Sequence, residues 1–167
     1  VFAFNNGFHH RFAFLILSLF ASSHSLGIYG MIKNIIEGLM YLPKAIQPII
    51  IRELSKDRNI GLRKILSINT FIYALIFLVF ITLGKTIIDI TYGSQFINGY
   101  APLLLSILGG YFYSLAYLLN SIQMGQNMFR SVLLASTTTS VSIVITSLVF
   151  IPILELNGSV IAFIVSS

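Results

Sequence analysis

Apolar runs separated by short polar breaks fill this chain, and the length of those runs sets the first expectation. A helix needs about 20 residues to cross a bilayer, so the pattern predicts spans at 26–51, 65–83, 102–124 and 131–152. A shorter or truncated span is expected at 12–21, and a sixth begins near Gly158. The breaks carry turn chemistry: Ser22-Ser23-His24, the charged segment 52–64, Tyr92-Gly93-Ser94, Gly125-Gln126-Asn127 and Leu156-Asn157-Gly158. Runs this long far exceed the roughly 10-residue alternating segments of an outer-membrane barrel. The expected fold class is therefore all-α, a polytopic membrane helical bundle of about five spans plus the start of a sixth. It occupies 1–167 as a single bundle with no separate soluble domain. Pro43 and Pro48 fall inside the second span, where a missing N–H and a ring clash bend a helix. The stretch 86–100, with Ile87-Ile88-Asp89-Ile90 and Phe96-Ile97, reads as either a short interfacial helix or an ordered loop.

Composition agrees with the pattern. Hydrophobic residues make up 56% of the chain and charged residues 9%, with a mean hydropathy of +0.92, against about 25% charged in a soluble domain. Membrane lipid is thus the expected solvent. The net charge of +5 would suggest nucleic acid in a soluble protein. Here the basic residues lie between apolar runs, so they read as orientation signals and nucleic acid is not an expected partner. Seven of them, Arg11, Arg52, Lys56, Arg58, Arg63, Lys64 and Arg130, fall on one side of the predicted spans and Lys85 alone on the other. By the positive-inside rule, 52–64 and 125–130 are cytoplasmic, and 22–25, 84–100 and 153–157 lie outside. With no cysteine, disulfides and thiolate chemistry are excluded. The chain opens on Val1 and stops in an apolar run that has barely begun, so it reads as a fragment, and no signal peptide is recognisable.

Against this background, ionisable residues inside a span are costly and point to function. At about 100° per residue, Lys44 lies about 20° and Glu37 about 40° around the second span from Lys33, with Tyr29 and Gln47 flanking them. These five residues make one polar stripe, opposite Leu39, Leu42, Ile46 and Ile49. Two ammonium groups suit an anionic headgroup, with Glu37 tuning them or taking a coupling proton or cation. The plainer reading is a self-neutralising trio, although Lys33 before Glu37 is the weaker i,i+4 order. On the fourth span, Ser106, Gly110, Tyr113, Tyr117, Asn120 and Met124 share a side that suits either a sugar-accommodating cavity or helix packing. Asn69 and Tyr73 form a smaller patch on the third span. His9, His10 and His24 have no metal-ligand spacing, and the chain shows no nucleophile elbow, phosphate-binding glycine loop or paired catalytic carboxylates. Neither an enzyme, a metal nor a cofactor is expected.

A resemblance adds to this reading. Leu26-Gly27-Ile28-Tyr29-Gly30, then Tyr41-Leu42-Pro43-Lys44-Ala45-Ile46-Gln47-Pro48 and Arg52-Glu53-Leu54-Ser55, resembles bacterial polysaccharide flippases of the multidrug/oligosaccharidyl-lipid/polysaccharide exporter superfamily. Thr91-Tyr92-Gly93-Ser94-Gln95-Phe96 is similar to that family's glycine-containing segment before a helix, and Ile151-Pro152-Ile153 through Asn157-Gly158-Ser159 to its Pro-then-Gly approach to a late helix. The chain departs from the family at His9-His10-Arg11, where an acidic residue often precedes the basic one. The resemblance implies two pseudo-symmetric bundles around a central cavity, of which this chain looks like most of the second. The first bundle, the remainder of the same chain, would be its main protein partner. It further implies movement of undecaprenyl-pyrophosphate-linked oligosaccharide across the bacterial inner membrane by alternating access, and a proton or Na+ is the expected coupling ion at Glu37.

Residues and resemblance meet at Lys33 and Lys44, which in a low-dielectric cavity attract a pyrophosphate far more strongly than in bulk water. Two alternatives remain. One is a drug/cation antiporter of the same superfamily, which would favour acidic cavity residues; the other is a non-transporting membrane subunit of a polysaccharide-assembly enzyme.

Overall fold

The computed structural model describes residues 14–19, 21–56 and 61–166. His9, His10, Arg11, Asp57 and Arg58 lie outside the described residues. Every element among the described residues is helical: a short stretch at 14–19, then α1 (Ser23–Leu39), α2 (Tyr41–Leu54), α3 (Leu62–Tyr92), a 3-10 turn (Ser94–Gly99), α4 (Tyr100–Gly125) and α5 (Phe129–Ser166). Among the described residues, three segments are long and apolar enough to cross a membrane: Leu62–Tyr92, Ser94–Gly125 and Phe129–Ser166. Three such helices stand where about five spans were expected; one expected span is broken, and another runs on through an expected loop.

The broken span is 26–51. Ser22 caps α1 by accepting from the Ser25 N–H at 3.2 Å, as hydroxyl N-caps do. The helix then ends at Leu39. Pro43 has no N–H to bond to the Leu39 carbonyl, and its ring collides with that carbonyl in a continuous helix. Met40 absorbs the interruption, keeping its own N–H on the Ile36 carbonyl at 3.1 Å while α2 restarts at Tyr41. Pro43 thereby falls in the first turn of α2, where a missing N–H costs nothing. Each half is shorter than a crossing.

The other is α3, which continues through the expected loop 84–100 as far as Tyr92. Gly93, at φ 96°, supplies the left-handed conformation that stops it, and a six-residue 3-10 turn leads directly into α4. Gly84 does not break the helix. It makes room for the Tyr100 ring, whose hydroxyl donates to the Ile81 carbonyl at 3.1 Å, and Lys85 lies over the same ring at 5.5 Å. The stretch 86–100, expected as a short interfacial helix or an ordered loop, instead comprises the last turns of α3 followed by this 3-10 turn.

All the other helices pack on α4. Small residues make this possible, since between lipid-embedded helices attraction comes from close van der Waals contact and not from exclusion of water. Ser106, Gly109, Gly110, Ser114, Ser121 and Gly125 are all buried along α4. A Cβ on Gly109 would stand 2.9 Å from the Phe163 ring, and one on Gly125 would stand 2.7 Å from the Leu54 Cβ.

The contacts also give the direction of each helix. Asn69 meets Ser114, Thr70 meets Tyr111 and Gly84 meets Tyr100, so α3 runs antiparallel to α4. Ile28 meets Gly99, Ile36 meets Gly110, Gln47 meets Tyr117 and Leu54 meets Gly125; both numbers rise together, so α1 and α2 jointly run parallel to α4 along its length. The core where α1, α3 and α4 meet is formed by Ile28, Met31, Ile32, Ile36, Ile88, Leu103 and Ile107.

The last helix doubles back. Residues 150 and 158 would be about 12 Å apart in a straight helix, yet Gly158 lies directly against the Phe150 carbonyl, with no room for a Cβ. The reversal follows Pro152 and turns on Glu155, at φ 47° and ψ −117°. The break expected at Leu156-Asn157-Gly158 is present, set by this fold-back.

One end of the bundle gathers His24, stacked on Phe96 at 6.5 Å, and Leu156, packed on the apolar core. Leu54 and Gly125 meet at the other end. Among the described residues near the helix ends, Arg52, Lys56, Arg63, Lys64 and Arg130 belong to that second end, whereas Lys85 belongs to the first together with Asp89 and Glu155.

Candidate functional site

The helix directions bring one part of the polar stripe into the bundle. Tyr29 and Lys33 on α1 line a small cavity with Ile32, Ile36, Ser106 of α4 and, from the doubled-back end of α5, Ser159, Val160 and Phe163. Its volume of about 20 Å³ holds a single water. Lys33 Nζ stands 3.7 Å from the Glu37 carboxylate, with the two side chains 26% and 44% exposed. The pair is half-buried and bridges one turn of α1. Tyr29 is buried, with the Phe14 ring 6.3 Å from its own. The hydroxyls of Ser106 and Ser159 donate to carbonyls of their own helices, Pro102 at 2.8 Å and Leu156 at 2.6 Å. Among the described residues lining this cavity, Lys33 alone carries a positive charge.

The break at Met40 interrupts the helix on which the stripe was counted. Lys44 and Gln47 stand on α2, beyond it, and neither lines the cavity of Lys33. Lys44 is exposed. Gln47 turns inward and accepts a hydrogen bond from the Tyr117 hydroxyl at 2.5 Å. Tyr113 packs between Tyr117 and Phe163, with ring centroids 6.5 and 6.1 Å away. Asn120 is half-buried one turn further along α4.

Around the break itself the structure assembles a buried polar junction. Ser114 donates to the Asn69 side-chain oxygen at 2.9 Å, and the Tyr73 hydroxyl reaches the Met40 sulfur at 3.7 Å. The Asn69 amide nitrogen is buried without a hydrogen-bond partner. Spacing alone pairs Asn69 with Tyr73; only the packing of α3 on α4 adds Ser114 and Met40. Ser159, Val160 and Phe163 reach the cavity through the α5 reversal, and no local sequence signal marks them.

An all-helical architecture with three helices long and apolar enough to cross a bilayer marks the described residues as those of a membrane protein. No protein-family model matches the chain, and neither a characterised protein nor a solved structure matches it.

Proposed function

We propose that the chain is part of a flippase that moves undecaprenyl-pyrophosphate-linked oligosaccharide from the inner to the outer leaflet of the bacterial inner membrane. The observation that carries this reading is Lys33, an ammonium group kept beside a cavity in a bundle of apolar helices. Retaining a cation at that position costs several kcal/mol if it meets only lipid. A pyrophosphate offsets the cost because the attraction between opposite charges grows as the dielectric falls. Glu37 limits the net positive charge and is the site for a coupling proton or Na+. Lys44, beyond the break, supplies a second station for the anion, and Tyr113, Tyr117 and Asn120 face the sugar.

In this reading α1 and α2 together make one interrupted crossing beside α4, and the short stretch at 14–19 belongs to a further one. The basic end of the bundle faces the cytoplasm, which places 52–64 and 125–130 on that side. Alternating access needs an element that bends while its ends stay anchored, and the Met40 break between the α1 and α2 contacts to α4 suits that role.

The test is a deletion strain complemented with variants. Loss of the protein should leave full-length lipid-linked repeat units accumulating on the cytoplasmic leaflet. The Lys33→Ala, Lys44→Ala double variant should insert normally and fail to restore polysaccharide display. Full display by that variant overturns the proposal, and a deletion strain lacking the lipid-linked intermediate assigns the chain to an assembly enzyme instead.

A further inference from the structure

Away from Lys33, a second and larger cavity of about 180 Å³ opens between α3 and α4. Thr70, Tyr73, Ala74, Phe77, Leu108 and Tyr111 line it. Thr70, Ala74 and Leu108 are exposed, so the cavity is a groove open to the surroundings of the bundle. Its polar atoms make no demand on an occupant: Tyr111 and Thr70 pair at 3.2 Å, and Thr70 also reaches the Leu66 carbonyl at 3.0 Å. The remaining lining is aromatic and aliphatic. Such a lining suits a run of methylenes.

Charge stands at one mouth of this groove. Arg63, Thr70 and Phe77 recur every seven residues on the uninterrupted α3, so they share a face with a drift of about 20° per step. The rise places Thr70 about 10 Å and Phe77 about 21 Å beyond Arg63. A leaflet of hydrocarbon is about 15 Å deep, half the bilayer core. With Arg63 at phosphate level, the groove lies at acyl-chain depth. Arg63 is exposed, Lys64 is beside it, and Arg52, Lys56 and Arg130 share the same end of the bundle with Glu53 as the acidic residue among the described ones.

We propose that this groove is a binding site for an anionic phospholipid of the leaflet at the basic end, with one acyl chain between α3 and α4 and the phosphate on Arg63. It requires only that the chain spans a membrane and stands apart from the transport reading. Selectivity comes from Arg63, since a basic residue near the surface favours anionic lipid by about 1 kcal/mol, a factor of about five.

The chain contains no tryptophan, so a single one introduced at Leu108 is an unambiguous reporter. The full chain carrying Leu108→Trp is reconstituted in vesicles with brominated phosphatidylglycerol or brominated phosphatidylcholine, and quenching is compared. Phosphatidylglycerol is expected to associate about fivefold more strongly, and Arg63→Gln to bring the two lipids to parity. Leu75→Trp, on the same helix but turned about 140° from Thr70, reports ordinary bilayer lipid and shows no preference. Equal quenching by both lipids at position 108, an equal preference at position 75, or a preference that survives Arg63→Gln overturns the proposal. So does an absence of quenching at 108 by either lipid, which means that protein covers the groove.

Discussion

Tyr117 donates a hydrogen bond to Gln47, tying the middle of α4 to α2 just beyond the break at Met40. The Tyr73 contact with Met40 holds the break itself from α3. The two contacts anchor the break residue to α3 and the second helix half to α4.

Tyr117→Phe removes the hydrogen bond that the Gln47 side-chain oxygen accepts. Interhelical hydrogen bonds in membranes contribute about 0.6 kcal/mol on average and about 1.7 at most, so a loss in that range is expected in mixed-micelle unfolding. A double-mutant cycle with Gln47→Leu should show that the two residues are coupled, the second change adding little once the first is made.

Gly158→Ala places a methyl against the Phe150 carbonyl, a backbone atom that cannot rotate away. A destabilisation of about 1–3 kcal/mol is expected, as for overpacking elsewhere, visible as a lower unfolding midpoint. Gly38→Ala is the internal control. Nothing lies within 4 Å of a Cβ there, and within helix α1 alanine should stabilise by about 0.5–1 kcal/mol.

The Lys33 and Glu37 side chains are partly exposed and one helical turn apart. Ion pairs of this kind contribute about 0.3–0.5 kcal/mol to stability. Lys33→Ala should therefore leave the unfolding midpoint almost unmoved while transport is lost. A fall in stability large enough to explain the loss of activity would assign the pair a structural role.

The orientation is open to a labelling test, because the chain has no cysteine. A single cysteine at Ser94 should react with a membrane-impermeant maleimide added outside spheroplasts, and one at Lys56 should react only after the membrane is opened. The reverse pattern would invert the assignment of the basic end.

The amino-acid sequence by itself determined that the chain is helical and suited to lipid. Apolar runs with few charges require a lipid-embedded helix, because an unsatisfied backbone polar group in hydrocarbon costs several kcal/mol. Its turn residues marked breaks that the structure contains at Gly93, Asn127 and the Pro152 reversal. Pro43 announced a bend, and its effect is a local steric one.

Tertiary structure alone decided what each polar residue meets. Counting angles along an uninterrupted helix joined Lys33, Glu37, Lys44 and Gln47 in one stripe, whereas the break leaves Lys33 with Ser106 and the doubled-back Ser159 and gives Gln47 to Tyr117. Gly84 likewise looked like a boundary, but it admits the Tyr100 ring within a continuous helix. Helical periodicity is a property of neighbours three and four residues apart. Which faces then close on one another depends on where small residues let two backbones approach, and that is settled only when the helices pack.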